Sequence, residues 1–415
     1  MLNLVLPIAG LLASTFLLLA GNGLAGVLLP IRASVEGWSP VVIGWIGFGY
    51  AFAFSAGCFI VPRLVLRVGH VRVYSVLAAI LAMSALAHAL AVHPVAWMIT
   101  RGLGGFALAG TYMIVESWLN EKTSNEDRGK VFSIYMVVSM IGLMAGQFLL
   151  IAADPATTTL FMVAALLFTA AVIPTGLSNA SSPQPLNQVS LDLRKLFANS
   201  PLAFTGVAVA GFTFGAYAFQ VPVYLQLAGL SGAQIASTMA LAMIGGMVFQ
   251  FPIGRLSDRM DRRYVIIASA FAGVILSTLL AMTAGMSFTV LFVLMFLFGG
   301  VLMPLYSLVV AYANDHADPN DFVEVSSGLL TIYGVGSMAG PVVAGAFMSL
   351  LGANGIFSLM AVSYLGLGFY AIWRLTRREA VPQEEMSDFA YAPPVAPAQT
   401  PEIMQLDPRS EETAS

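Results

Sequence analysis

The side chains best able to do chemistry in this 415-residue chain are few and widely spaced. Arg101 and Glu116 sit inside apolar runs, Arg32 closes one and His88 lies within another. Two charged clusters, PRLVLRVGHVR at 62–72 and GRLSDRMDRRY at 254–264, fall where one apolar run gives way to the next. A guanidinium, carboxyl or imidazole in such a setting can pair with charge, hold a proton or bind a polar solute, and it is too costly in hydrocarbon to be retained without a role. Bond-making chemistry needs other patterns. There is no GxxxxGK[ST] phosphate cradle, no HExxH and no paired-Cys spacing. The four histidines, His70, His88, His93 and His316, are scattered and form no recognisable set with Ser and Asp. The chain is therefore read as a non-enzyme with no cofactor and no metal. Its single cysteine, Cys58, lies in an apolar run, reads as a small buried hydrophobe and supports no disulfide framework.

The elements that must position these groups are membrane helices. Hydrophobic residues make up 58% of the chain and charged residues 9%, and mean hydropathy is +0.85. A soluble domain is nearer a quarter charged. Twelve stretches approach the ~20 apolar residues a span requires, near 5–28, 41–62, 72–92, 95–119, 131–152, 158–178, 202–226, 233–254, 264–284, 288–313, 323–350 and 355–374. The first is read as a retained helix, since no basic residue precedes it and no cleavage site follows. The net charge of -3 gives no sign of nucleic-acid binding.

Basic residues set the orientation. Arg63, Arg67 and Arg72 follow span 2; Lys122, Arg128 and Lys130 follow span 4; Arg194 and Lys195 follow span 6. Arg255, Arg259, Arg262 and Arg263 follow span 8, and Arg374, Arg377, Arg378 and Arg409 follow span 12. That is all but Arg32 and Arg101 of the 18 Lys and Arg, on one face. The positive-inside rule makes that face, and both termini, cytoplasmic.

The two charged clusters lie 192 positions apart, and a gapless shift by that offset places Pro30 on Pro222, Ser39 on Ser231, Ile43 on Ile235, Arg63 on Arg255 and Arg67 on Arg259. A charged hinge recurring at one place in each half marks a duplicated six-helix bundle, the usual build of secondary transporters, with the solute site expected between the halves. The reading is an all-α protein: residues 1–178 form an N-terminal bundle, 179–201 a polar cytoplasmic linker with a short amphipathic helix at 190–198, 202–376 a C-terminal bundle and 377–415 a disordered tail. The pairs Gly142/Gly146, Gly211/Gly215 and Gly336/Gly340 are assigned to close helix packing.

The hinge residues also carry a family resemblance. GRLSDRMDRR at 254–263 resembles the loop signature of the major facilitator superfamily: Gly254, Asp258, Arg259 and Arg263 fit, and Asp261 stands where a second glycine is expected. In the first-half copy Arg67, Gly69 and Arg72 fit, while Pro62 and Leu66 replace the first Gly and the Asp. TRGLGG at 100–105 looks like the superfamily's fourth-helix arginine motif. IVESWLNE at 114–121, DRGKVFSIYMVV at 127–138, GQFLL at 146–150 and GSMAGPVVAG at 336–345 are similar to the bacterial YcaD-like branch. The resemblance spans roughly residues 5–375 and implies the twelve-helix fold and transport.

The hinge charges are read as a latch on the cytoplasmic side. Asp258 is expected to meet the N-terminal end of span 5, Arg259 to hold Asp258 or the end of span 10 at Asn314 and Asp315, and Arg67 to reach Glu116. With Gly254 these form the gating set, with topology as the alternative role of the basic residues; for Arg72, Arg262 and Arg263 topology is preferred. The resemblance gives Arg101 a place on the central cavity or in proton coupling, with a structural tie to a neighbouring helix as the alternative. Spans 1 and 7 carry no Asp or Glu, which weakens proton antiport, and His88 is read as packing.

The solute surface is expected to be Asn22, Arg32, Arg101, Tyr112, Gln147, Tyr217, Gln220, Tyr224, Tyr306 and Tyr333, amide and aromatic groups suited to a partly apolar solute. Arg32 and Arg101, read as uncompensated, favour an anionic or neutral one. The sequence thus points to a monomeric secondary transporter of the bacterial inner membrane, moving a small organic solute by alternating access with a proton as the candidate coupling ion. A membrane sensor that kept the fold and lost flux is the alternative.

Overall fold

The computed structural model describes residues 8–121, 123, 127–176, 193–282, 287–317, 322–377 and 389. Among these, twelve helices are long and apolar enough to cross a membrane: α1 Ala9–Val35, α2 Pro40–Val68, α3 His70–Leu90, α4 Pro94–Glu121, α5 Gly129–Ala152, α6 Thr159–Gly176, α7 Pro201–Leu227, α8 Gly232–Arg259, α9 Arg262–Ala281, α10 Phe288–Asn314, α11 Val325–Leu351 and α12 Gly355–Leu375. All twelve anticipated spans are present, and no strand occurs among the described residues. A short helix, Leu193–Asn199, precedes α7 and covers most of the anticipated amphipathic segment. Residues 179–192 of the linker and the tail beyond Arg377, Phe389 excepted, lie outside the described residues.

The helices fall into two compact units. The first holds α1, α3–α6 and α2 from Trp45 onward; the second holds α7–α12 and the first turn of α2, Ser39–Gly44. In the first unit α1 and α5 cross on glycine. A Cβ at Gly23 would fall on the Leu143 carbonyl, and one at Gly142 or Gly146 on that of Phe16 or Ala20. In the second unit α7 and α11 do the same, Gly211 and Gly215 against Tyr333 and Ser337, Gly336 and Gly340 against Ala208 and Phe212. In lipid there is little hydrophobic drive between helices, so backbone-to-backbone approach of this kind supplies the packing. Leu90, Leu166, Val76 and Phe52 stay exposed, as side chains facing hydrocarbon can.

The sequence repeat is visible in local geometry. Pro30 and Pro222 lie inside α1 and α7. Gly37 and Gly229, 192 positions apart, follow those helices with φ of 75° and 80°, a left-handed turn that glycine enters freely. Ser39 and Ser231 then open α2 and α8. Ser231 makes a reciprocal box with Gln234, and Ser39 Oγ accepts the Val42 N–H at 3.4 Å.

Candidate functional site

Arg101 sits two turns into α4 and is 7% exposed. Its guanidinium lies 4.3 Å from the centre of the Tyr50 ring on α2, a cation–π contact. Gly105 makes that contact possible, because a side chain there would collide with the Tyr50 carbonyl and push α2 from α4. Arg101 also lines a cavity of about 20 Å³, room for a water-sized occupant, together with Asn22 of α1, His88 of α3, Thr100 of α4 and Phe161 of α6. The cavity lies inside the first unit. Trp97 secures the α3–α4 corner by donating its indole N–H to the His88 carbonyl at 3.0 Å.

Two other acid or amide groups of this unit lie away from that cavity. Glu116 is fully buried, near the other end of α4, and accepts a hydrogen bond from Tyr135 of α5 at 2.8 Å. Arg67, its anticipated partner, is exposed. A carboxyl enclosed by a phenol replaces the expected surface ion pair. Tyr112 and Gln147 are buried on α4 and α5.

Arg32 corrects a second expectation. It is not uncompensated: its guanidinium pairs with Glu36 one turn on at 2.6 Å and donates to the carbonyls of Pro155, at 3.2 Å, and Ala156. It ties the end of α1 to the α5–α6 loop, so only Arg101 carries the argument for an anionic or neutral solute.

The candidate residues of the second unit are all closed in among helices, none more than 3% exposed. Gln220 donates to the carbonyls of Pro40 at 2.8 Å and Pro341 at 3.0 Å, joining α7 to α11 and the first turn of α2. Tyr217 donates to the Met239 carbonyl at 3.4 Å. Tyr224 packs edge-on against Phe357, and Tyr306 against Tyr333 with ring centres 4.9 Å apart. These contacts build the unit's core.

The second-half hinge is an ion network. The interior pair is made by Arg262, which the sequence reading assigned to topology: its Nε lies 2.8 Å from Asp315 Oδ2, and the two side chains are 1% and 2% exposed. The sequence reading gave Arg259, which is exposed, Asp315 as one of two alternative partners. The signal was available, since Arg262 opens α9 and Asp315 closes α10. Asp258 faces Arg262 Nη2 at 3.5 Å and accepts the backbone N–H of Phe389 at 3.1 Å. The Phe389 ring lies over Gly254, where any Cβ would strike it.

Asp261, in the glycine position of the signature, accepts the Arg263 backbone N–H at the start of α9 and pairs with its guanidinium at 2.6 Å. Its φ of −52° needs no glycine, whereas Gly69, its counterpart in the first half, has φ of 88°. Burial pushes the Asp261 carboxyl up, but the Arg263 hydrogen bonds and charge outweigh it and hold the group below the usual carboxylate range.

Tyr50, Tyr135 and Glu36 escaped the sequence reading, and His88 was read as packing only. His88 had a local signal: Trp97, Thr100, Arg101 and Gly104 share one face of α4 by their three- and four-residue spacing, and that face meets α3.

The chain is similar to proteins named as the uncharacterized MFS-type transporter YcaD from Escherichia coli O45:K1 (strain S88 / ExPEC) and O81 (strain ED1a). Each is 26% identical over 364 residues, 87% of this chain and 94% of the relative. Among solved structures it is similar to the nucleoside transporter NupG, with TM-score 0.79 and 16% identity over 89% of this chain and 99% of that one. It is also similar to a bacterial homolog of the human lysosomal transporter Spinster, inward-facing and unoccupied, with TM-score 0.69 and 13% identity over 93% and 99%. At those identities the structures speak for the fold alone. The model of the Major Facilitator Superfamily matches residues 11–249 and 228–400, so nearly the whole chain, hinge and arginine motif included, belongs to that superfamily of transporters.

Proposed function

We propose that this protein is a secondary active transporter that moves a small organic solute, anionic or neutral, across the bacterial inner membrane by alternating access. The observation that carries this reading is Arg101: a buried cation in a membrane helix, bordering a small, mostly apolar cavity rather than a surface. Such a group is retained where it handles a solute or a coupling ion. The sidedness of the basic residues supports cytoplasmic termini. The ion network at the α8–α9 hinge, with Gly254 and Asp258, supports a gating role for that loop. Tyr112, Gln147 and Asn22 accompany Arg101 as candidate solute contacts, whereas the second unit's Tyr217, Gln220, Tyr224, Tyr306 and Tyr333 position helices and contribute contacts only if they turn during the cycle.

The test begins with a thermal-shift screen of purified protein against metabolites and drugs. Each stabilising compound then goes into proteoliposome flux, with and without a pH gradient. Saturable flux that disappears in Arg101→Ala is the expected result. Binding without flux would replace the transporter by the sensor.

A further inference from the structure

We propose that His88 and Thr100 form a reversible proton-binding site inside the first unit, and that Arg101 on the same cavity couples its occupancy to a negative charge. His88 is 3% exposed and lines the cavity with Thr100, Arg101 and Asn22. Its two ring nitrogens face different chemistry. Nδ1 lies against the Ser84 carbonyl, which can only accept, so Nδ1 carries a hydrogen in every state. Nε2 lies 3.1 Å from Thr100 Oγ1.

A hydroxyl can donate or accept, and this one has a second place to send its hydrogen: the Ala96 carbonyl is 2.9 Å from Thr100 Oγ1. With the ring neutral, Thr100 donates to Nε2. With the ring protonated, Nε2–H donates to Thr100 Oγ1 and the hydroxyl turns to Ala96. Both states leave each ring nitrogen paired, and the exchange moves the one hydroxyl hydrogen between Nε2 and the Ala96 carbonyl. A packing histidine needs no such alternative. The cavity beside it has room for one water-sized molecule next to the ring.

Arg101 is the charged group that faces this site. From α6 the ring meets Phe161, stacked at 10°, and from α1 the cavity presents Asn22, neither of which titrates. Tyr50 lies against Arg101, its ring centre 4.3 Å from the guanidinium. Two cations around one small cavity repel, so the proton binds well only when an anion reaches Arg101. That is the linkage a symporter of an anion needs, and it supplies the titratable group missing from the acid-free α1 and α7. The coupling role rests on the transporter reading; the proton site stands on geometry alone.

Nitrogen-15 NMR of histidine-labelled protein in lipid nanodiscs tests the site without any solute, with His88→Gln identifying the signal. At alkaline pH the ring is expected as the Nδ1–H tautomer, gaining an Nε2 proton reversibly on acidification. Arg101→Gln is expected to bind that proton about tenfold more tightly, by removing the like charge. Thr100→Val keeps the shape, removes the acceptor and is expected to weaken binding about tenfold. A ring that stays neutral wherever the protein is folded, or a midpoint unmoved in Arg101→Gln, overturns the proposal. An intact titration in a protein without flux upholds the site and removes only its coupling role.

Discussion

The two units share a scaffold and divide their charge differently. In the first, His88, Arg101 and Glu116 lie within the spans, each buried. Shifted by 192 positions they fall on Leu280, Val293 and Leu308. In the second, charge gathers at the ends of α8, α9 and α10. Arg262 stands where the first unit has His70, Asp315 where it has Thr123, and Asp261 where it has Gly69. Both bundles carry basic residues at the hinge, but the first also holds ionisable groups within its spans, and the second adds a buried ion pair at its hinge. Pro30 and Pro222, Gly37 and Gly229, and Ser39 and Ser231, which shape the same turn, coincide in both halves. That local backbone geometry is common to the repeats, while the ionisable side chains inside the spans, which cost most in lipid, stand in one half alone.

The sharpest way to break this comparison is Arg101→Ala. Flux should fall to background in proteoliposomes, with little change in detergent melting temperature, because Tyr50 and the cavity lining remain packed. Wild-type rates in that variant would leave the first unit's charge without function. The reciprocal change, Val293→Arg, puts a cation on a lipid-facing position of α10 that is 51% exposed. It should cost about 2.5–3.5 kcal/mol of insertion and lower the membrane-integrated yield. Unchanged yield would mean that the units differ less in their surroundings than their sequences imply.

At the hinge, Asp315→Ala takes the nearest carboxylate from the buried Arg262 guanidinium and leaves it the more distant Asp258. Breaking one side of such a pair costs about 3–5 kcal/mol, read as a large drop in melting temperature. Arg262→Met combined with Asp315→Leu should recover most of it, since apolar replacement of both partners removes the buried charge along with its main counter-ion. Failure of the double variant to recover would point to further partners of Arg262. A smaller effect is expected of Asp258→Asn, which keeps the acceptor for Phe389 and loses the charge. Under the latch reading it raises labelling of engineered cysteines on the basic face; unchanged labelling would confine Asp258 to anchoring the tail.

The sequence made the fold legible because lipid imposes a strong pattern: each helix needs a long apolar run, and the 192-residue offset is carried by backbone-shaping residues. The glycine pairs were readable for the same reason. The site was less legible. Whether Gln220 lines a void or clamps Pro40 and Pro341 depends on helix rotation, which composition does not encode in a helix apolar all round. Arg32 was misread because its partner Glu36 lies beyond the apolar run, where a search for membrane carboxylates does not reach. Arg262 was misread because a basic residue in a loop already satisfies the topology rule, and only burial shows that it does more. His88 was read as packing because its contact with Thr100 shows only once α3 and α4 are paired.

The mildest test concerns Asp261, the residue that takes the place of glycine at the second hinge. Its carboxylate caps α9 and pairs with Arg263, so its folded-state pKa is depressed. A depressed carboxyl pKa means that the unfolded chain binds the proton first. The contribution is therefore complete above about pH 4, the ordinary aspartate value, and is lost as pH falls through the lower folded value. Asp261→Asn should melt slightly below wild type at neutral pH, and the gap should close as the solution is acidified. The effect is small because the pair is partly solvated, and solvent and salt screen such pairs. The matching variant in the first unit, Gly69→Asp, should behave oppositely. There φ is 88°, a region an aspartate side chain enters only at a cost, so the acid is introduced with strain and lowers stability at every pH. If Gly69→Asp instead stabilised the protein in a pH-dependent way, the two hinges would be interchangeable and the division of charge between the halves would be accidental.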